Sequence, residues 1–172
     1  MKRWLSTCSA LLLGVSMVLV QSASADNRHR VEIVRAKLVG FEEVPTLSSS
    51  GSGWFVARIK DDEITYSLHY QDLESTVTQS HIHFSERHQN GSVVVFLCSN
   101  LGNGPLGTQP CPAAPATISG TIIAADVLGG AAGVGLEAGN FDELLAAIRA
   151  GAMYANVHTT GRPGGEIRGQ IR

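Results

Sequence analysis

The chain has 172 residues, 19 of them glycine and only 6% aromatic, with a formal net charge of −2. So balanced a charge, with no basic stripe, excludes nucleic acid as a natural partner. Few aromatics, many glycines and many β-branched residues favour strands over a helical bundle.

The N-terminus reads as a secretory signal peptide. Lys2 and Arg3 precede an apolar run, Leu11 to Val20, and Ala23-Ser24-Ala25 supplies a small-residue cleavage site. The run is shorter than the roughly 20 residues of a spanning helix. No cysteine follows the site, so a lipid anchor is not expected; an uncleaved membrane anchor is the competing reading. Cleavage before Asp26 removes Lys2, Arg3 and Cys8. It leaves 11 basic against 15 acidic residues, a net charge of −4. The remainder, residues 26–172, suits a single domain. It is expected outside the cytoplasm, periplasmic or secreted, with no membrane span.

Short strands follow. Arg30 to Phe41 begins in alternation and ends at Glu42-Glu43-Val44-Pro45, where proline removes a ladder donor. Trp54 to Lys60 and Ile64 to Tyr70 flank an Asp61-Asp62 turn. In the second of these, Ile64, Tyr66, Leu68 and Tyr70 share one face, the one-sided pattern of an antiparallel sheet. Val77 to Phe84 is the next strand. Asn90-Gly91 predicts a hairpin-like turn, and Ser92 to Leu97 a continuously apolar strand. Cys98 and Cys111 are an even pair in an exported chain and predict a disulfide. Closing a loop of that size stabilises a fold by about 3 kcal/mol in the chain-entropy model.

Thr117 to Val127 reads as another strand. One helix then interrupts the pattern. Asn140 is its N-cap, Asp142 and Glu143 fill the first turn, and Gly151 ends it. Phe141, Leu144, Leu145 and Ile148 form its apolar stripe. Two strands around a Gly/Pro turn close the chain. The expected fold is all-β, a Greek-key antiparallel sandwich or barrel, with one short helix near the C-terminal third.

Histidines carry the candidate chemistry. Alternation in Val77 to Phe84 puts Ile82 and Phe84 on the core face and His81 and His83 on the other. Two same-face imidazoles about 7 Å apart at the backbone can converge on one ion about 2.0 Å from each nitrogen. His158 is the natural third ligand; His69 and His88 are weaker candidates for a fourth. Imidazole-only ligation favours copper or zinc over calcium or magnesium. The competing reading is an exposed pair bonded to backbone or to neighbouring acids.

On the closing strands, Asn156 shares a face with His158, and Glu166, Arg168 and Gln170 share another. Glu166 or Arg168 beside His158, with Asn156, would orient an imidazole from behind; otherwise they form an exposed charge ladder worth about 0–1 kcal/mol. Gly164-Gly165 suits a turn through positive φ, and no G-x-x-x-x-G-K makes it a phosphate loop.

These residues resemble a CHRD domain, the module named from chordin. Leu38-Val-Gly-Phe-Glu-Glu-Val-Pro45 resembles the family's opening strand, and His81-Ile-His83 with Asn90-Gly91 its central motif. Gly151 to Gly169, with Asn156-Val-His-Thr159 and Gly164-Gly-Glu-Ile-Arg-Gly169, resembles its closing signature. Phe84 to His88 replaces the family's glycine-rich turn. The resemblance covers most of the mature chain and implies an extracytoplasmic β-sandwich without implying an activity. A weaker likeness is to copper/zinc superoxide dismutase, whose copper site also uses an H-x-H strand pair. His81, His83 and His158 match three such ligands, while the zinc-holding histidines and aspartate are missing.

Two functions compete. One is a non-catalytic exported module that binds a protein or cell-surface partner, with a metal ion on the three histidines. No catalytic residue is assigned in it, since no motif such as G-x-S-x-G is present. The other is a copper-dependent redox enzyme on the same histidines.

Overall fold

The computed structural model describes residues 31–172; the signal peptide expected at residues 1–25 lies outside the described residues. Eight strands run in chain order: β1 Glu32–Val39, β2 Ser52–Lys60, β3 Glu63–Gln71, β4 Val77–Phe84, β5 Ser92–Ser99, β6 Ala116–Ile122, β7 Met153–Thr159 and β8 Ile167–Gln170. Among the described residues one α-helix, α1, spans Phe141–Arg149. The strands form one sheet in the order β5-β4-β7-β8-β1-β2-β3-β6. Every neighbouring pair is antiparallel.

The sheet curls into a nearly closed barrel, whose two edges, β5 and β6, meet across a seam. Side chains bridge that seam in place of a backbone ladder. The Tyr66 hydroxyl donates to the Leu97 carbonyl at 3.1 Å. The Gln109 amide donates to the carbonyls of Leu97 at 3.1 Å and Ser119 at 3.2 Å. The expected all-β fold with one helix in its last third is the fold observed.

Alternation builds the interior. Ile64, Tyr66, Leu68 and Tyr70 of β3 are buried, as are Phe55, Ala57 and Ile59 of β2. Ile82, Ala155, Val157 and Ile167 extend the same core through β4, β7 and β8. Helix α1 adds Phe141, Leu144, Leu145 and Ile148 to it. It starts where the Asn140 side chain accepts from the Glu143 amide at 3.2 Å, and it is followed by Gly151 at φ +70°. Arg149 pairs with Glu32 at 2.9 Å, which sets the helix at the barrel end where β1 begins.

Two strands are shorter than the sequence predicts. The strand expected to reach Val127 ends at Ile122, because the Asp126 carboxylate accepts from the Ile123 amide at 2.9 Å and turns Ala124–Asp126 into a 3-10 helix. The strand expected to reach Phe41 ends at Val39. There the Gly40 carbonyl accepts from the amides of Glu43 and Leu47 and curls the chain over the barrel. Cys98 and Cys111 are disulfide-bonded, with Cα atoms 5.1 Å apart. Among the described residues no helix is long and apolar enough to cross a membrane.

Strand β4 lies between β5 and β7, and β7 between β4 and β8. Their register sets Gln79 opposite His158, His81 opposite Asn156 and His83 opposite Tyr154. Asn156 in turn faces Arg168, and Tyr154 faces Gln170. Since side chains alternate along a strand, these residues share the outer face of the barrel. The register thus carries three histidines from two strands onto one patch.

Candidate metal centre

An outer barrel face is ordinarily wet. Here it is roofed, and the histidines that the alternation turns away from the core are buried nonetheless. His81, His83 and His158 are 2%, 8% and 6% exposed. The cover comes from three loops, 40–47, 85–91 and 160–166, which are tied to each other and to the sheet. Asn90 donates to the Val44 carbonyl at 3.2 Å, and Arg87 pairs with Glu42 at 3.0 Å. Arg168 donates to the Glu86 carbonyl at 3.1 Å. Phe96 of β5 closes one side with its ring 4.3 Å from that of His81, nearly perpendicular.

One nitrogen from each of the three imidazoles lies within 4.8 Å of the others. His81 Nδ1 and His158 Nε2 are 3.2 Å apart. His83 Nδ1 lies 3.0 Å from the Gly91 carbonyl, and His158 Nδ1 lies 2.9 Å from that of Pro163. A carbonyl only accepts, so both Nδ1 atoms carry the proton and both Nε2 atoms present a lone pair. His81 Nδ1 then donates to His158 Nε2. The Nε2 atoms of His81 and His83 are buried with no hydrogen-bond partner. Bare buried acceptors are costly, and a cation set among them would satisfy them.

The same burial keeps the rings neutral. It drives His81 down to about 3, with repulsion from His158 and His83 adding to it. It drives His83 down to about 4; the Gly91 bond opposes this, while His158 and Arg168 reinforce it. His158 is lowered by burial against the pull of its Pro163 bond. Neutral imidazole is the form that binds metal; an ion held by all three rings would take the place of the His81–His158 hydrogen bond and so free His158 Nε2 as a ligand atom.

Around the cluster, the residues expected to orient it take other parts. Arg168 is 1% exposed and lays its guanidinium 3.4 Å above the Tyr154 ring. Tyr154 is stacked on His83, with centroids 4.7 Å apart and planes within 4°. Arg168 therefore makes its contact with Tyr154, which stacks on His83, and acts on His83 itself through its charge. Asn156 donates to Glu43 at 2.6 Å and to the Ile167 carbonyl at 3.3 Å. Glu43 is pushed up to about 7 by burial, against the opposing pull of Arg168. Glu166 accepts from Ser49 at 2.9 Å, from the Glu74 amide at 2.7 Å and from Thr159 at 2.7 Å. The orienting bonds to the histidines come instead from main-chain carbonyls of the roof. The alternative of an exposed Glu166–Arg168 ladder gives way to two buried side chains.

Neither spare histidine joins the cluster. His69 is stacked on Trp54 at 4.2 Å and bonded to Thr117 and Gln71. His88 is exposed in the roof loop at φ +64°. Two glycines make the roof possible. A Cβ on Gly91 would run into the Phe84 carbonyl oxygen. Gly165 sits at φ +129°, and a Cβ there would come within 2.6 Å of both Asn156 Nδ2 and Glu43 Oε1. Gly164 is not in that region of φ, so Gly165 alone bears out the positive φ expected of the pair.

Tyr154, Glu43, Gly91 and Pro163 also surround the cluster, and no pattern in the sequence marks them as site residues. Tyr154 shares only the phase of Asn156 and His158. The other three act from loops whose docking no local pattern reveals.

A family model for the CHRD domain matches residues 34–171, most of the chain, and the chain belongs to that family. Neither a curated protein nor a solved structure matches it.

Proposed function

With membership of the CHRD domain family as the premise, we propose that this protein is an exported, non-catalytic binding module that holds a transition-metal ion, copper or zinc, on His81, His83 and His158. One observation carries the reading: three buried imidazoles bring nitrogens within 4.8 Å of one another, with no polar partner for the Nε2 atoms of His81 and His83. Imidazole donors suit copper and zinc, whereas hard oxygen-seeking ions would want carboxylates. The disulfide supports a site outside the cytoplasm, as does the N-terminal segment read as a signal peptide. The partner would be a protein or a surface component, in keeping with the mild negative charge. A copper redox enzyme of the superoxide dismutase kind is the less favoured alternative, because among the described residues one group of metal-ligating side chains forms and no second.

Elemental analysis of the exported protein, beside a His81→Ala/His83→Ala variant, tests the reading. Stoichiometric copper or zinc in the parent and none in the variant is expected. A parent that takes up neither metal after incubation with both would sink it.

A further inference from the structure

The charges around the cluster speak to which ion it takes. The ligand group contains no carboxylate. The buried acids nearby are engaged elsewhere: Glu43 with Asn156 at 2.6 Å, and Glu166 with Ser49, Glu74 and Thr159. The formal charge that does stack towards the site is positive, through the column of Arg168, Tyr154 and His83. A dication placed here would bring two charges into a buried pocket with no carboxylate among its ligands to offset them. The cost of desolvating an ion scales with the square of its charge, roughly fourfold greater for a dication than for a monocation of like size.

Coordination number points the same way. Zinc in proteins takes four ligands, or three with an open position for water. Divalent copper favours a tetragonal set. Here three imidazoles are buried beneath three loops, Phe96 packs against one flank, and the group includes no fourth ligating side chain. A closed shell d¹⁰ monocation is satisfied by three nitrogen donors and has no need of the missing ligand.

We propose that the three-histidine site selects monovalent copper, Cu(I), over divalent ions and over zinc in particular. The inference rests on the metal-binding reading above and adds to it the charge state of the ion.

The metal-free exported chain can be titrated without oxygen, using Cu(I) held by bicinchoninate under ascorbate, and in parallel using zinc against a chromophoric zinc chelator. One equivalent of Cu(I), bound at least about a hundredfold more tightly than zinc, is the expected result. X-ray absorption of that form should show three nitrogen ligands around copper. A preference smaller than this, or one in favour of zinc, overturns the selectivity and leaves the metal site standing. Uptake of neither ion removes the site itself, and the inference with it.

Discussion

Two buried polar clusters draw on β7, and they are finished in opposite ways. At the end of the strand Glu166 gathers three donors, from Ser49, the Glu74 amide and Thr159, all within 2.9 Å. It ties the loop before β2 and the loop before β4 to the close of the barrel. Beside it, His158 of β7 and His81 and His83 of the neighbouring β4 are also buried, yet nitrogens of His81 and His83 have no partner. A fully bonded buried group holds a fold together, whereas an unfinished one costs stability and is retained for some other reason. Burial alone does not separate the two; the count of met and unmet bonds does.

Glu166→Ala gives the largest effect expected from this contrast. It strips the acceptor from three donors at once and should lower the unfolding free energy by about 3–5 kcal/mol. Urea denaturation measures it, and a loss under about 1 kcal/mol would mean that the donors find other acceptors. Metal uptake by the folded variant should be unchanged.

The histidines should respond to pH instead. Their folded values lie below the ordinary one, so between about 6.5 and 4 the unfolded chain binds more protons than the folded one. Stability contributed by the cluster is therefore present above about 6.5 and lost as the pH falls, by at most about 1.4 kcal/mol per pH unit for each histidine. Glu43 works with the opposite sign: its value is raised, so its contribution is lost as the pH climbs from about 4.5 through 7. Three groups outweigh one. The metal-free protein should melt progressively lower from pH 6.5 to 4, and a flat profile over that range would show that the rings are not held neutral.

The smallest expected effect is the most discriminating. His81→Leu removes one unpartnered nitrogen but also the donor to His158 Nε2; these effects oppose each other, and stability should change by no more than about 1 kcal/mol either way, while metal uptake is abolished. A loss above about 3 kcal/mol would place His81 in the same structural class as Glu166, and the comparison would collapse.

Much of this arrangement was legible in the residues, and what was not has a common cause. Alternation along β4 and β7 put His81, His83 and His158 on faces opposite Ile82 and Val157, as observed, because a strand's period of two is local. Asn140 and Gly151 bounded α1 through bonds made within a turn. The burial of the histidines was not legible. It comes from three loops far apart in sequence, held by contacts such as Asn90 to Val44. Glu166 had the right phase for the histidine face, yet its carboxyl group turns to Ser49 and Glu74, partners 117 and 92 residues away. The early end of β6 turned on Asp126, a residue inside the expected strand whose carboxylate bonds backward to the Ile123 amide.

The seam between β5 and β6 has a consequence for solubility. Strand edges left open invite pairing with another chain, and this barrel has two. Gln109 occupies both, on the carbonyls of Leu97 and Ser119, and it sits two residues before Cys111, whose disulfide returns the loop to β5 at Cys98. The staple thus does more than shorten the unfolded chain's reach: it keeps a plug seated in the gap where one copy of the barrel would otherwise find the edge of the next.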